Sequence, residues 1–270
     1  MHKKNIKDKI KKLREIIGKE RSVVVAFSGG VDSSVVAKIS YEELRDRAVA
    51  VTINSEIFPK RDLEISKKIA KEIGIEHIIL EHSDLNDEKF VENPVDRCYF
   101  CKRKEIEMIN DIAKKEGIDS IAFGVTISDF GEYRPGTIAL NEDKSSLPLV
   151  EAGIGKESIA EIAKELGLSN FALPSTTCLA SRIPYGERIT YDKLKRIEKA
   201  EIFLLELGFS QVRVRNHMDL ARIEVEEEEM GKLFLWKDKI VSELKRIGFV
   251  YVSLDLSGYR SGSMNETLKK

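Results

Sequence analysis

Up to residue 170 the apolar positions alternate between two rhythms, and beyond it the order of those rhythms changes. Ile6, Ile10, Leu13, Ile16 and Ile17 fall at helical spacing among lysines, which predicts an amphipathic basic helix over 5–20. The β-branched run at 23–27 suits a short parallel strand buried on both faces. A glycine-containing turn and a helix over 33–47 follow, then a strand at 48–53, a helix at 61–73 and a strand at 77–80. A helix at 99–116, stopped by Gly117, leads to a strand at 120–123. Such alternation implies right-handed βαβ crossovers, and so an α/β fold with a parallel sheet flanked by helices. Residues 124–146 read as a polar, irregular loop folding over a site, before an apolar piece at 147–150 and a helix at 156–166.

Pro174, Pro184 and Gly186 then break the pattern. A helix at 192–207, strands at 211–215 and 220–225, a helix at 228–247 and a strand at 249–255 complete the chain. That order predicts a smaller C-terminal α+β domain with some antiparallel pairing. The expected division is a nucleotide-binding domain over 1–180 and a substrate-binding or oligomerisation domain over 181–270.

Composition narrows the class. With 42% hydrophobic residues, 17 Gly and 6 Pro in 270 positions, the chain is neither disordered nor of low complexity. No apolar stretch approaches the ~18 residues of a spanning helix, and the first residues lack a signal peptide's apolar core, so a cytoplasmic protein with no membrane partner is expected. Its 45 basic and 46 acidic residues argue against coating nucleic acid through bulk charge, and no such partner is expected. Three cysteines cannot form a disulfide framework in a chain this long, so they are either inert or chemical.

The strongest chemical signal is Ser28-Gly29-Gly30-Val31-Asp32-Ser33-Ser34, directly after the first strand and before a helix. Glycines let the backbone turn with positive φ and approach an anion closely. Amides of the turn and the first helical turn then point at that anion. Ser28, Ser33 and Ser34 add hydroxyls, and Asp32 suits a Mg²⁺ that neutralises phosphates. No Lys precedes the serines as a Walker loop requires, so the turn reads as built for pyrophosphate rather than γ-phosphoryl transfer. The run resembles the signature of the PP-loop ATP pyrophosphatases, whose fold is of the adenine-nucleotide α-hydrolase type. The resemblance implies that Ser28, Gly29, Gly30, Asp32, Ser33 and Ser34 bind the pyrophosphate part of ATP, that Thr52 lies near adenine or ribose, and that Gly124 and Asp129 belong to a second nucleotide-facing loop.

Cys98 and Cys101 sit three apart at a helix start, on one face, so both sulfurs can reach a common metal or each other; Cys178 lies far along the chain. Three thiolates are one short of a closed Cys₄ zinc site but can hold a cubane iron–sulfur cluster with one open iron. The bland alternative is three small buried residues. Arg97-Cys98-Tyr99-Phe100-Cys101-Lys102, the stretch 123–136 and the run 178–190 (CLASRIPYGERIT) together resemble the LarE family, ATP-dependent sulfur transferases of nickel-pincer cofactor synthesis. By that resemblance the small-molecule nucleotide substrate is pyridinium-3,5-biscarboxylic acid mononucleotide, adenylated on a ring carboxylate and converted to a thiocarboxylate. Cys178, with Ser181 and Arg182 beside it, is then the catalytic motif. Within the family, sulfur comes either from the Cys178 position itself, which becomes dehydroalanine, or from a 4Fe-4S cluster held by Cys98, Cys101 and Cys178. The three-cysteine set makes the cluster the preferred expectation.

A multiply anionic substrate calls for arginine forks, and Arg134, Arg213, Arg215 and Arg260 are the candidates. Glu201, Glu224 and Asp129 are candidates to position a metal or a proton, and a homo-oligomer is expected. The competing readings are a tRNA thiolation enzyme of the same superfamily, an ammonia-using amidating ligase, and a nucleotide sensor without turnover. The near-balanced charge of residues 191–270 offers no RNA footprint, and an amidating ligase leaves the cysteines without a role.

Overall fold

Successive side chains of a strand point to opposite faces, and the 23–27 run obeys this: Val23, Val25 and Phe27 enter one apolar cluster, Val24 and Ala26 another. The computed structural model describes residues 2–131, 135–143, 145–174 and 176–269. Its elements run α1 (His2–Ile17), β1 (Val23–Ala26), α2 (Val31–Leu44), β2 (Ala48–Asn54), α3 (Lys60–Ile73), β3 (Glu76–Glu81), α4 (Glu88–Val91), α5 (Arg97–Glu116) and β4 (Ser120–Phe123). There follow α6 (Pro135–Asp143), α7 (Pro148–Glu151), α8 (Lys156–Glu165), α9 (Tyr191–Glu206), β5 (Val212–His217), β6 (Leu220–Val225), α10 (Met230–Leu235), α11 (Lys237–Ile247) and β7 (Tyr251–Leu254). They form two units, Met1–Ser83 with Asp96–Thr176, and Asp84–Val95 with Thr177–Lys270.

In the first unit β3, β2, β1 and β4 lie side by side in that order, all parallel. Apolar stripes of α1, α2, α3 and α8 cover one face, among them Leu13, Val36, Ile69 and Ile162. Ile106, Ile109 and Ala113 of α5 and Ala139 and Leu140 of α6 cover the other. The parallel α/β sandwich expected from the alternation is what the chain forms. From β1 the chain winds outward through β2 to β3, then returns to the opposite side of β1 as β4. The carboxyl ends of β1 and β4 therefore flank a topological switch point, where open parallel sheets bind their ligands.

In the second unit β5 and β6 form an antiparallel hairpin and β7 joins β6 in parallel. Val212, Val214, Ile223 and Val225 pack there with Ala200 and Leu204 of α9 and Ile240 and Leu244 of α11. Residues 84–95, not set apart by the sequence pattern, belong to this unit. Buried Asn93 fastens them, its Nδ2 donating to Pro184 O at 2.7 Å, Glu187 O at 3.0 Å and Ile183 O at 3.3 Å.

Two expectations need correction. Part of the supposedly irregular 124–146 stretch is α6, whose short sequence shows little periodicity but buries Ala139 and Leu140. The helix expected over 228–247 breaks at Trp236 into α10 and α11. Among the described residues no helix is long and apolar enough to cross a membrane.

Leu13 of α1 is fully buried in the larger core. Leu13→Ala should destabilise the first unit by about 2–5 kcal/mol, read from urea unfolding, because the cavity adds to the lost transfer energy.

Candidate functional site

The loop after β1 begins the site. Gly29 has φ +74°, and a Cβ there would lie 2.7 Å from the Ser66 backbone of α3, so neither the conformation nor the space admits a side chain. Gly30 starts α2 in extended conformation, and its carbonyl accepts from Ser34 Oγ (2.8 Å), Ser34 N (3.0 Å) and Ser33 Oγ (3.1 Å). Ser33 and Ser34 are buried, and these hydroxyl protons are directed at the loop itself. Ser28 is exposed; its Oγ lies 3.2 Å from Ser33 Oγ and accepts the Gly30 N–H at 3.3 Å. Asp32 lies in the first turn of α2, half-buried. What the loop offers an anion is thus backbone N–H and the positive end of α2, with Ser28 as the outer hydroxyl.

Gly124 follows β4, and a Cβ on it would lie 2.6 Å from Ser33 N, so glycine lets the end of β4 close against the first turn of α2. Beyond it Asp129 is buried and accepts from Thr126 N and Thr126 Oγ1, both at 2.9 Å, with Lys156 Nζ at 3.2 Å. Asp129 braces this second loop. Thr52 is buried in β2, where its hydroxyl donates to Phe27 O at 2.6 Å and lies 2.8 Å from His77 Nε2. Its hydroxyl proton goes to Phe27, so the contact is made by the imidazole N–H. Burial, helped by Lys67, keeps His77 below the usual histidine range and so neutral in that role.

Cys98 is exposed and Cys101 half-buried on the first turns of α5, beside Lys102, which ion-pairs with Glu105. Burial opposes the Lys102 charge, but Glu105 above all, with the negative charge of Cys101 and Cys98 as thiolates, outweighs it and holds the ammonium above its ordinary range. Cys178 belongs to the second unit. Among the described residues no three His, Cys, Asp or Glu side chains are grouped as a metal site.

The loop around Cys178 is built on Arg182, a fully buried arginine. Its Nε and Nη2 reach both oxygens of Glu201 at 2.9 Å, while Nη1 points at Thr177 O, Thr177 Oγ1 and Cys178 O within 2.8 Å. Ser181 N and Oγ also donate to Cys178 O, at 3.0 and 2.8 Å. Arg182 and Ser181 therefore hold the backbone of Cys178, leaving its half-buried side chain as the variable group. Glu201 also accepts from Val214 N at 3.0 Å; burial pushes its carboxyl up, but Arg182 above all and Arg213 bring it below the usual range.

Arg213 and Arg215 on β5 are both buried rather than solvated. Arg215 pairs with Glu224 at 2.6 Å and reaches Ser263 Oγ at 3.0 Å and Ser181 O at 3.2 Å; its Nε is buried without a hydrogen-bond partner among the described residues. Arg213 lies over Tyr259, and burial together with Arg182 pulls it below the ordinary arginine range. Arg222 joins Glu224 to Asp255, and the more exposed Arg260 pairs with Glu266 at 3.0 Å. Glu201 and Glu224 thus hold arginines rather than a metal. Residue 134, the remaining arginine candidate, lies outside the described residues. Sequence reading missed Asn93 and Asn170, whose partners lie 90 or more positions away.

A nucleotide-type loop at the switch point of a parallel sheet defines a PP-loop enzyme, and comparison with known proteins agrees. Residues 3–110 match the NAD synthase family model. The chain is 38% identical over 267 residues to an uncharacterised protein of Synechocystis, covering 98% of this chain and 100% of that one. It is also 38% identical to the pyridinium-3,5-bisthiocarboxylic acid mononucleotide synthase of Lactiplantibacillus plantarum, over 92% of this chain and 90% of that one. A more partial likeness, 30% identical over 60% of this chain and 56% of the other, links it to a subunit of the glutamine-hydrolysing GMP synthase of Thermococcus kodakarensis. The chain belongs to the LarE family, the sulfurtransferase branch of the PP-loop ATP pyrophosphatases.

Two outcomes follow for the Arg182–Glu201 pair. Arg182→Met should cost about 3–5 kcal/mol at neutral pH in a urea titration, since it strands a buried carboxylate. In the wild type, Glu201 stabilises fully above its unfolded value near 4.5 and that contribution is lost as pH falls through the lower folded value. With the arginine gone, burial raises the carboxyl instead, so acidification should recover part of the variant's lost stability.

Proposed function

We propose that this protein uses ATP to adenylate a ring carboxylate of pyridinium-3,5-biscarboxylic acid mononucleotide and then converts the acyl group to a thiocarboxylate. The carboxylate oxygen attacks the α-phosphorus and pyrophosphate leaves; a sulfur nucleophile then attacks the acyl carbon and AMP leaves. The supporting observation is the loop at 28–34, whose side-chain-free turn and inward-held carbonyls leave backbone N–H groups for a pyrophosphate. Ser28 and the N–H groups of 30–33 would hold the leaving pyrophosphate, and Asp32 would hold a Mg²⁺ that neutralises its charge. The chemistry of Asp32, a carboxylate at a helix start, fits that hard cation. Thr52 and Gly124 shape the strand ends flanking the nucleotide, and Asp129 holds the loop after Gly124.

The arginines of the second unit support an anionic substrate. Arg213 and Arg215 place positive charge in a buried setting, and Arg260 adds a more exposed fork. Arg134 completes the proposed set. Sulfur is delivered at Cys178, whose backbone Arg182 and Ser181 hold. In kind and number, Cys98, Cys101 and Cys178 fit a 4Fe-4S cluster with one open iron, which when bound supplies a sulfide for repeated transfer. The clamp centred on Cys178 alone supports a second route. There its thiolate attacks the acyl-adenylate and expels AMP; loss of the Cys178 α-proton then breaks the Cβ–S bond, leaving dehydroalanine and the thiocarboxylate. The exposed Phe234, Leu235 and Trp236 around the α10–α11 break support a homo-oligomer.

Pyrophosphate release measured with and without the dicarboxylate nucleotide tests the reading: release should require that nucleotide and no RNA. Asp32→Ala should slow release by about 10²-fold. Cys178→Ser should abolish thiocarboxylate formation while ATP binding stays near normal. Multiple turnovers by that variant would exclude both sulfur routes. Iron and acid-labile sulfide in anaerobically purified protein support the cluster; absence of iron after reconstitution, with loss of one sulfur from Cys178 by mass spectrometry, supports the sacrificial route.

A further inference from the structure

The proposed pyrophosphate loop is held from outside by a residue remote in sequence. Asn170 lies in the turn after α8 and is only 2% exposed. Its Nδ2 donates to Gly29 O and to Ser34 Oγ, both at 2.8 Å. A carbonyl can only accept, so the amino end of the amide must face Gly29. Its Oδ1 is buried without a hydrogen-bond partner among the described residues. Ser34 passes the contact on by donating its own proton to Gly30 O at 2.8 Å. One side chain therefore fixes two consecutive carbonyls of the loop, Gly29 directly and Gly30 through a hydroxyl relay.

The C=O and N–H of a trans peptide point in opposite directions. Holding Gly29 O aims the Gly30 N–H away from Asn170, and holding Gly30 O aims the Val31 N–H away likewise. The turn carrying Asn170 is itself anchored: Ser169 donates to Glu72 of α3 through its N–H at 2.8 Å and its hydroxyl at 2.5 Å. That helix also supplies the Ser66 backbone against which Gly29 packs. Loop and brace thus share one support.

We propose that Asn170 is a positioning residue for pyrophosphate: through Gly29 O it presets the Gly30 amide, whose 3.3 Å contact to Ser28 Oγ the anion would take over, and through the Ser34 relay the Val31 amide. The proposal rests on the reading of the loop as the pyrophosphate site. Ser34, expected from sequence to offer its hydroxyl to the phosphates, acts here as the relay.

The test is calorimetric titration of the full-length protein with magnesium pyrophosphate and, separately, with AMP. Asn170→Ala should weaken pyrophosphate binding by about tenfold, the equivalent of one to two hydrogen bonds, and leave AMP binding within about twofold. Ser34→Ala, which leaves Asn170 in place, should give a smaller loss of the same kind and keeps the test open if Asn170→Ala does not fold. The double variant should lose little more than Asn170→Ala alone, because the two residues act in series. The KM for ATP should rise in Asn170→Ala more than kcat falls. Unchanged pyrophosphate binding in both single variants, or equal losses for pyrophosphate and AMP, would overturn the positioning role. Failure of the wild type to bind pyrophosphate or ATP would instead overturn the reading of the loop itself.

Discussion

A loop that offers its own N–H groups to an anion must turn its carbonyls the other way, and those carbonyls then need donors. In this protein the loop after β1 has its carbonyls satisfied in that way, as the proposed pyrophosphate site would require. Gly30 O takes three donors from Ser33 and Ser34, and Gly29 O takes the Asn170 amide. The turn that makes this possible has φ +74° at Gly29 and no room for a Cβ against α3. Gly124 repeats the device at β4, where the strand end meets the backbone of Ser33. Two strand ends at the switch point of the sheet are thereby brought against one helix start.

The second unit is governed by charge in a poorly solvated space. Arg182, Arg213 and Arg215 are all nearly excluded from water, and Glu201 and Glu224 stand among them. Desolvation makes such clusters costly, and their mutual attraction offsets that cost only when the geometry is well satisfied. Arg182 is well satisfied, with a two-point contact to Glu201 and its remaining donors on the Cys178 loop. At Arg213, burial and the neighbouring arginines oppose the charge. Charge gathered in this way, three buried arginines around two glutamates in a chain of formal charge −1, is achieved by placement rather than by composition, and the proposed anionic substrate would draw on it.

Sequence made the local features legible. Strand and helix order, the glycine turn and the cysteine spacing are local patterns, and the parallel sheet follows from their alternation. Features set by distant contacts were not legible. The α6 helix lacks a clear stripe, since α5 decides which of its residues are buried. Asn93 and Asn170 read as ordinary turn residues, because asparagine is common in turns and its long-range partners leave no trace nearby. Arg213 and Arg215 looked alike on one strand face, yet one lies over Tyr259 and the other pairs with Glu224. Ser33 and Ser34 belong to the motif as expected, but their donor bonds run to the loop's own carbonyl, a distinction that needs coordinates.

The central claim is that the glycine loop serves cleavage between the α- and β-phosphates of ATP by a substrate carboxylate. The direct measurement supplies the dicarboxylate nucleotide labelled with ¹⁸O in its carboxylates and analyses the nucleotide products by mass spectrometry. If an acyl-adenylate forms and sulfur displaces AMP, the AMP carries one labelled oxygen for each thiocarboxylate made. Unlabelled AMP alongside thiocarboxylate, or ADP as the nucleotide product, would contradict it.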